Sequence, residues 1–202
     1  IVCAKFEKEI DSFENNLNVL ELIAKQAPKL ARYYMDNKDL LVSQTGYADR
    51  IIGKKDAEFY ALARVGAYSY AKYYVAFRDN TKWAAAVVTE VDTPWGGLKR
   101  PVFQNHAVSI CERDDDTFIS FDEAHYICGI LNTNIVAQYM ETSSDARSFP
   151  IRPRIKIPRF NGSNATHMQI STLSKQAHQN YDDKQFIDSI RKQLDTLYLS
   201  IL

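Results

Sequence analysis

The amino-acid sequence predicts an α+β chain, with a twisted, mostly antiparallel sheet flanked by helices and preceded by an N-terminal helical segment. Two observations carry that expectation. Near both ends, apolar residues recur at steps of three and four, the period of an amphipathic helix. After residue 58 the texture turns aromatic and β-branched in short runs separated by turn-forming residues, the pattern of strands.

The elements follow in order. Phe6, Ile10, Phe13, Leu17, Leu20 and Ile23 share one helical face over residues 4–26, and Pro28 ends that helix and opens a second to about residue 37. Residues 72–78 and 83–91 read as two strands joined by a hairpin loop at Asp79-Asn80-Thr81-Lys82. Shorter strands are expected at 107–111 and 117–121, with the charged run Glu112–Asp116 turning between them. Asp122 is placed to cap a helix running through Leu131, and another helix begins near Thr133 or Asn134. Residues 152–160, punctuated by proline, suit an extended sheet edge or a channel-lining strand. Two helices, 164–179 and 182–200, close the chain. This division gives a helical connector over residues 1–57 and a second segment over 58–202.

Composition narrows the class. With 46% hydrophobic residues, 12 Tyr, 10 Phe and 2 Trp in 202 residues, there is ample material for a core, which argues against disorder. Lys plus Arg and Asp plus Glu balance at 25 each, so no global field attracts a polyanion and local distribution decides the partner. Three cysteines without a CxxC pair suit a reduced, cytoplasmic setting. No apolar run reaches the roughly 20 residues of a membrane span, and no signal-peptide pattern occurs, so no membrane partner is expected. The opening Ile1-Val2-Cys3 reads as mid-helix, the expectation for a piece of a longer polypeptide.

The common catalytic signatures are missing. The seven glycines form no GxGxxG, GxxxxGK[ST] or GxSxG motif. His106, His125, His167 and His178 lie in separate segments without zinc-ligand spacing. His106 and Cys111, five residues apart on a strand, would point to opposite faces, so a core cysteine is the better reading than a nucleophile. Asp114-Asp115-Asp116 invites a metal, but adjacent carboxylates in a turn diverge, so a solvated loop is the expectation. There is no Glu-x-Lys, and Asp36/Lys38 and Asp182/Lys184 sit in helix-like contexts. Methyl-transfer motifs such as NPPY are lacking too. The chain is therefore expected to carry no catalysis and to bind no cofactor or metal of its own.

Charge is concentrated locally instead. Arg147, Arg152, Arg154, Lys156 and Arg159 fall within thirteen residues free of Asp and Glu, alternating with Phe149, Ile151, Ile155 and Ile157. The pattern fits either a cationic binding ridge or a charge-protected edge strand. A second cluster follows Pro94-Trp95-Gly96-Gly97: Lys99 and Arg100, then Gln104, Asn105 and His106. Such side chains read purine edges in the major groove. Arg78, Asn80 and Lys82 bracket the expected hairpin tip.

Three segments in matching order carry a family resemblance. Phe59–Tyr68 (FYALARVGAY), which contains Arg64, leads into Tyr73–Arg78 (YYVAFR). Asp122–Thr133 (DEAHYICGILNT) is similar to a "DEAYYLLGILNS" helix, and Ile155–Phe160 (IKIPRF), Asn164, His167 and Leu173–His178 (LSKQAH) follow. Over roughly residues 58–200 the chain resembles a TaqI-like C-terminal specificity domain, the target-recognition part of type II and IIG-like adenine-N6 methyltransferases and fused restriction-modification enzymes. The resemblance implies double-stranded DNA as partner, read by loops. It also implies a separate methyltransferase domain in the same parent chain holding S-adenosylmethionine, with Mg²⁺ only if a nuclease is fused. Arg64, Arg78, Asn80, Lys82, Lys99, Arg100, Gln104, Asn105, His106, Arg147, Arg152 and Arg154 are the candidate DNA contacts. A protein-interaction module, with the first helix as its working surface, is the alternative.

Overall fold

A computed structural model describes residues 19–43, 60, 67–78, 82–94, 96–103, 107–143, 149–150 and 153–202. The chain divides into two units, Ile1–Tyr70 and Ala71–Leu202. In the first, α1 (Val19–Gln26), α2 (Pro28–Asp36) and α3 (Lys38–Val42) follow one another closely. Pro28 sits where its missing N–H costs nothing, in the opening turn of α2. Ile23 and Ala31 are buried among Leu20, Leu30, Tyr34 and Tyr60. The helix expected over 4–26 is present over its described part, and residues 4–18 lie outside the described residues.

The second unit is α+β. Its sheet has the order β2 (Ala85–Val88), β1 (Tyr74–Arg78), β5 (Ala107–Ile110), with both pairings antiparallel. Side chains alternate across such a sheet, so its two faces can be read from the register. Val75 pairs with Val87 and Ile110, and Phe77 with Ala85 and Val108; all six belong to or pack on the main core. Tyr74, Ala76 and Arg78 occupy the other face, opposite Val88, Ala86, Ser109 and Ala107.

Over the core face lies α4 (Phe121–Leu131), in which every residue from Glu123 to Leu131 is buried. A helix apolar on all sides needs neighbours on all sides. α4 finds them in β1 and β2 beneath it, α5 (Asn134–Ser143) at its end, and α6 (Ala165–Gln179) and α7 (Lys184–Ser200) above. Gly129 permits the approach to α6: a Cβ there would lie 2.8 Å from Ile170 Cγ2 and 3.2 Å from the Ile170 carbonyl oxygen. The helices start where side chains replace the missing backbone acceptors. Asn164 accepts from Thr166 and His167, and Asp183 from Phe186.

Two expectations are corrected. Residues 117–121 form no strand; only Phe118 bridges back to Glu112, and Phe121 already belongs to α4. The cap is Ser120 rather than Asp122, because Ser120 and Glu123 form a reciprocal capping box that starts the helix earlier. Residues 153–160 adopt no regular secondary structure and join no sheet among the described residues. Pro153 and Pro158 lack ladder donors, and tyrosine hydroxyls hold the segment instead: Tyr198 donates to the Lys156 carbonyl at 2.8 Å and Tyr126 to the Pro158 carbonyl at 3.0 Å.

Candidate nucleic-acid interface

The sheet face turned away from α4 has an uncommon composition. Its described middle consists of Ala76, Ala86, Ala107 and Ser109, all small. Arg78 leaves the sheet at one end, exposed, and Lys82 is exposed as the chain returns toward β2. The strand expected over 83–91 is shorter because Trp83 is taken into the core. There its indole N–H donates to the Leu131 carbonyl at 2.7 Å, and its ring packs on Phe77 and Phe149.

Because β1 and β2 are antiparallel, β2 ends at Val88 opposite Tyr74, at the other end of the sheet from Arg78. From there the chain forms an exposed two-stranded arm, β3 (Val91–Asp92) and β4 (Leu98–Lys99), pairing Val91 with Lys99. Its turn is closed by Thr93, whose N–H donates to the Gly97 carbonyl and whose hydroxyl donates to the Gly96 carbonyl. Gly96 and Gly97 have φ of 90° and 80°, left-handed values at which a side chain would be strained. Lys99 and Arg100 are exposed, and Arg100 is near enough to Tyr74 for its charge to act on the phenol. Burial nevertheless dominates there and raises the Tyr74 pKa. The four strand steps from Tyr74 to Arg78 span about 13 Å at ~3.3 Å per residue.

The sequence candidates therefore separate. Arg78 and Lys82 lie by one end of the face turned away from α4, and Lys99 and Arg100 follow β2 from the other, where Tyr74 is buried with Ala71, Cys111 and Phe103. Arg154 is exposed on the segment that Tyr126 and Tyr198 pin to the helices, so it stands apart from both groups. Two cations of that run are engaged elsewhere: Lys156 donates to the Leu202 carbonyl at 2.8 Å, and Arg159 pairs with Asp115 at 3.6 Å. Arg64, Asn80, Gln104, Asn105, His106, Arg147 and Arg152 lie outside the described residues. On the helical side, a cleft of about 400 Å³ is lined by Glu112, Asp114, Glu123, Tyr126 and Phe160. Arg113 and Arg159 line it too but pair with Glu123 and Asp115, which leaves carboxylates in excess.

The described histidines serve the fold. His178 Nε2 accepts the Val87 N–H at 2.9 Å, so its Nδ1 carries the proton and donates to the Ser174 carbonyl at 2.8 Å. His125 lies edge-on to it with ring centres 4.9 Å apart and meets Ser174 Oγ at 3.1 Å. This serine–histidine pair resembles a catalytic dyad, but both residues are buried, which bars substrate. Burial, then the neighbouring His178 and Lys175, lowers the His125 pKa to about 4, so the ring is neutral near pH 7. His167 accepts the Asn161 N–H at 3.1 Å. Asp115 turns back onto Thr117, whose N–H and hydroxyl both donate to it, and this bond leads in lowering its pKa. Among the described residues no group of His, Cys, Asp and Glu could hold a metal ion, and no helix is long and apolar enough to cross a membrane. Comparison of the chain with family models, curated proteins and solved structures finds no match.

Proposed function

We propose that this chain is a DNA target-recognition module of a restriction-modification adenine-N6 methyltransferase, binding double-stranded DNA over the face of its sheet turned away from α4. The supporting observation is the composition of that face. Small residues in the middle let a bulky surface approach, while Arg78 and Lys82 supply cations by one end of β1 and Lys99 and Arg100 by the other, strand ends that are about 13 Å apart at ~3.3 Å per residue. That separation is roughly four base-pair rises of ~3.4 Å, so both groups reach phosphates of one duplex. Phosphate contacts would set register, and the exposed arm and the hairpin tip would read base edges. S-adenosylmethionine and the methyl-transfer step belong, in this reading, to another domain of the parent chain, which flips the adenine. The module itself performs no chemistry. Its zero net charge makes its own affinity modest, in the ~10⁻⁴–10⁻⁶ M range of non-specific contacts.

The test is fluorescence-anisotropy titration of the full 202-residue chain with random duplex DNA over a salt series. Saturable binding with a steep log–log salt slope is expected. Replacing both Arg78 and Lys82 by Glu should reduce that slope by about 2, since each neutralised phosphate contributes ~0.9. Binding that ignores these substitutions overturns the assigned face, and no binding at low salt overturns the module as a stand-alone DNA binder. A protein-interaction role has one observation in its favour. Tyr33, Met35, Leu40 and Val42, in α2 and α3 of the first unit, are each about half exposed or more. Large apolar side chains left in solvent together mark a contact surface.

A further inference from the structure

Among the described residues no strand pairs with the outer edge of β2, and side chains hold it. Asn132, just past α4, takes both groups of Ala85: its Oδ1 accepts the Ala85 N–H at 3.1 Å and its Nδ2 donates to the Ala85 carbonyl at 2.7 Å. Two residues along, the Val87 N–H is held by the ring of His178. The two clasps differ in chemistry. A carboxamide offers an acceptor at every ordinary pH. An imidazole offers one only while neutral, because its two nitrogens are both donors once protonated.

In His178 neither nitrogen is spare. Nδ1–H is committed to the Ser174 carbonyl, so an added proton must enter at Nε2, where the lone pair now receives the Val87 N–H. The new N–H would face another N–H at 2.9 Å, and that bond must break. Several ionisable groups are packed about His178. From α4 come His125, neutral until about pH 4, and the Cys128 thiol, which burial raises to about 12 against a smaller lowering by the nearby Val87 backbone amide. Asp122 on α4 is paired with Lys175 on α6, whose ammonium also stands over the Phe121 ring. β2, with the sequence AAVV, carries no titratable side chain.

We propose that His178 is an acid-released clasp: proton uptake at its Nε2 detaches the Val87 end of β2 from α6, while the Asn132 clasp at Ala85 stays closed. The proposal concerns the sheet edge and stands whether or not the opposite face binds DNA. Its consequence is a strand loosened at the end from which the β3–β4 arm departs, so acid would free that arm without unfolding the unit.

Amide hydrogen exchange by NMR on the full chain tests this, with Ala85 as an internal reference for Val87. Along a titration from neutral into acid pH, Val87 protection, corrected for intrinsic exchange, should fall at least tenfold relative to Ala85. Over the same range the Nε2 signal of His178 should change from the acceptor to the donor form. His178→Gln, which keeps an acceptor without a titrating proton, should abolish the differential loss. Equal protection changes at both amides would mean global opening and would sink the clasp. So would an unchanged Val87-to-Ala85 ratio across the range.

Discussion

Replacing Gly129 by alanine sets two well-known effects against each other at one position. In a solvent-facing helix, the change stabilises by about 1 kcal/mol, because glycine is the costlier helix residue. Within the α4–α6 crossing, the added methyl meets Ile170 Cγ2 at 2.8 Å, the Ile170 carbonyl oxygen at 3.2 Å and Leu194 Cδ2 at 3.4 Å. Carbon atoms rest at about 3.5 Å or more, so the Ile170 side chain must retreat by roughly 0.7 Å. It has nowhere to go, since Ile170 is fully buried and β-branched. Overpacking of this kind costs about 1–3 kcal/mol. The net expectation is a loss of up to about 2 kcal/mol, read as a lower urea midpoint at unchanged m. A second background isolates the cause. Ile170→Ala alone should cost about 2–5 kcal/mol through its cavity. The alanine at 129 should then fit into that space, so the two costs should fall short of additivity by about 1 kcal/mol or more. If Gly129→Ala stabilises the wild-type chain, or costs the same in both backgrounds, the close-approach argument is wrong.

Three further outcomes follow from buried polar groups. Because the folded pKa of His125 is depressed from 6.5 to about 4, the unfolded chain takes up its proton first. Stability from this group is therefore complete above about pH 6.5 and falls as pH drops toward 4, by at most about 3 kcal/mol at ~1.36 kcal/mol per pH unit; denaturant titrations at several pH values should show that fall, and His125→Gln should flatten it. Trp83→Phe leaves the buried Leu131 carbonyl without its indole donor and should cost about 2–3 kcal/mol by thermal or urea unfolding. Burial raises the Cys111 and Cys128 thiols to about 11 and about 12, so a thiol reagent at about pH 8 should modify both only as fast as the unit unfolds.

Much of the helical layer could be read from local pattern. The closing helices, expected at 164–179 and 182–200, are present at 165–179 and 184–200, where Asn164 and Asp183 are local capping signals. Failures came where long-range partners outvoted local texture. Trp83 looks like strand but is drawn into the core by Leu131, a partner 48 residues away. Residues 153–160 look like an edge strand, yet the hydroxyls of Tyr126 and Tyr198 take the carbonyls that a neighbouring strand would have used. The segments at 122–133 and 173–178 are helical and largely buried. Their particular task, holding the β2 edge through Asn132 and His178, was illegible because the contacts bridge 47 and 91 residues. For the candidate interface, exposure of Arg78, Lys82, Lys99 and Arg100 followed from their turn-like settings, whereas their division between opposite ends of the sheet depended on the pairing register.

The side-chain fastening of β2 also has a consequence in time. During synthesis, β1 and β2 leave the ribosome well before α6 exists, and the ring that closes the Val87 position lies 91 residues further on. At ~5–20 residues per second, the outer edge of β2 waits on the order of 5–20 s for its last fastening. Until then it offers open backbone groups to any other nascent strand, the exposure that drives edge-to-edge aggregation. Chains ending shortly before His178 would keep that edge open permanently, so a nested series of C-terminal truncations should gain solubility abruptly once α6 is included.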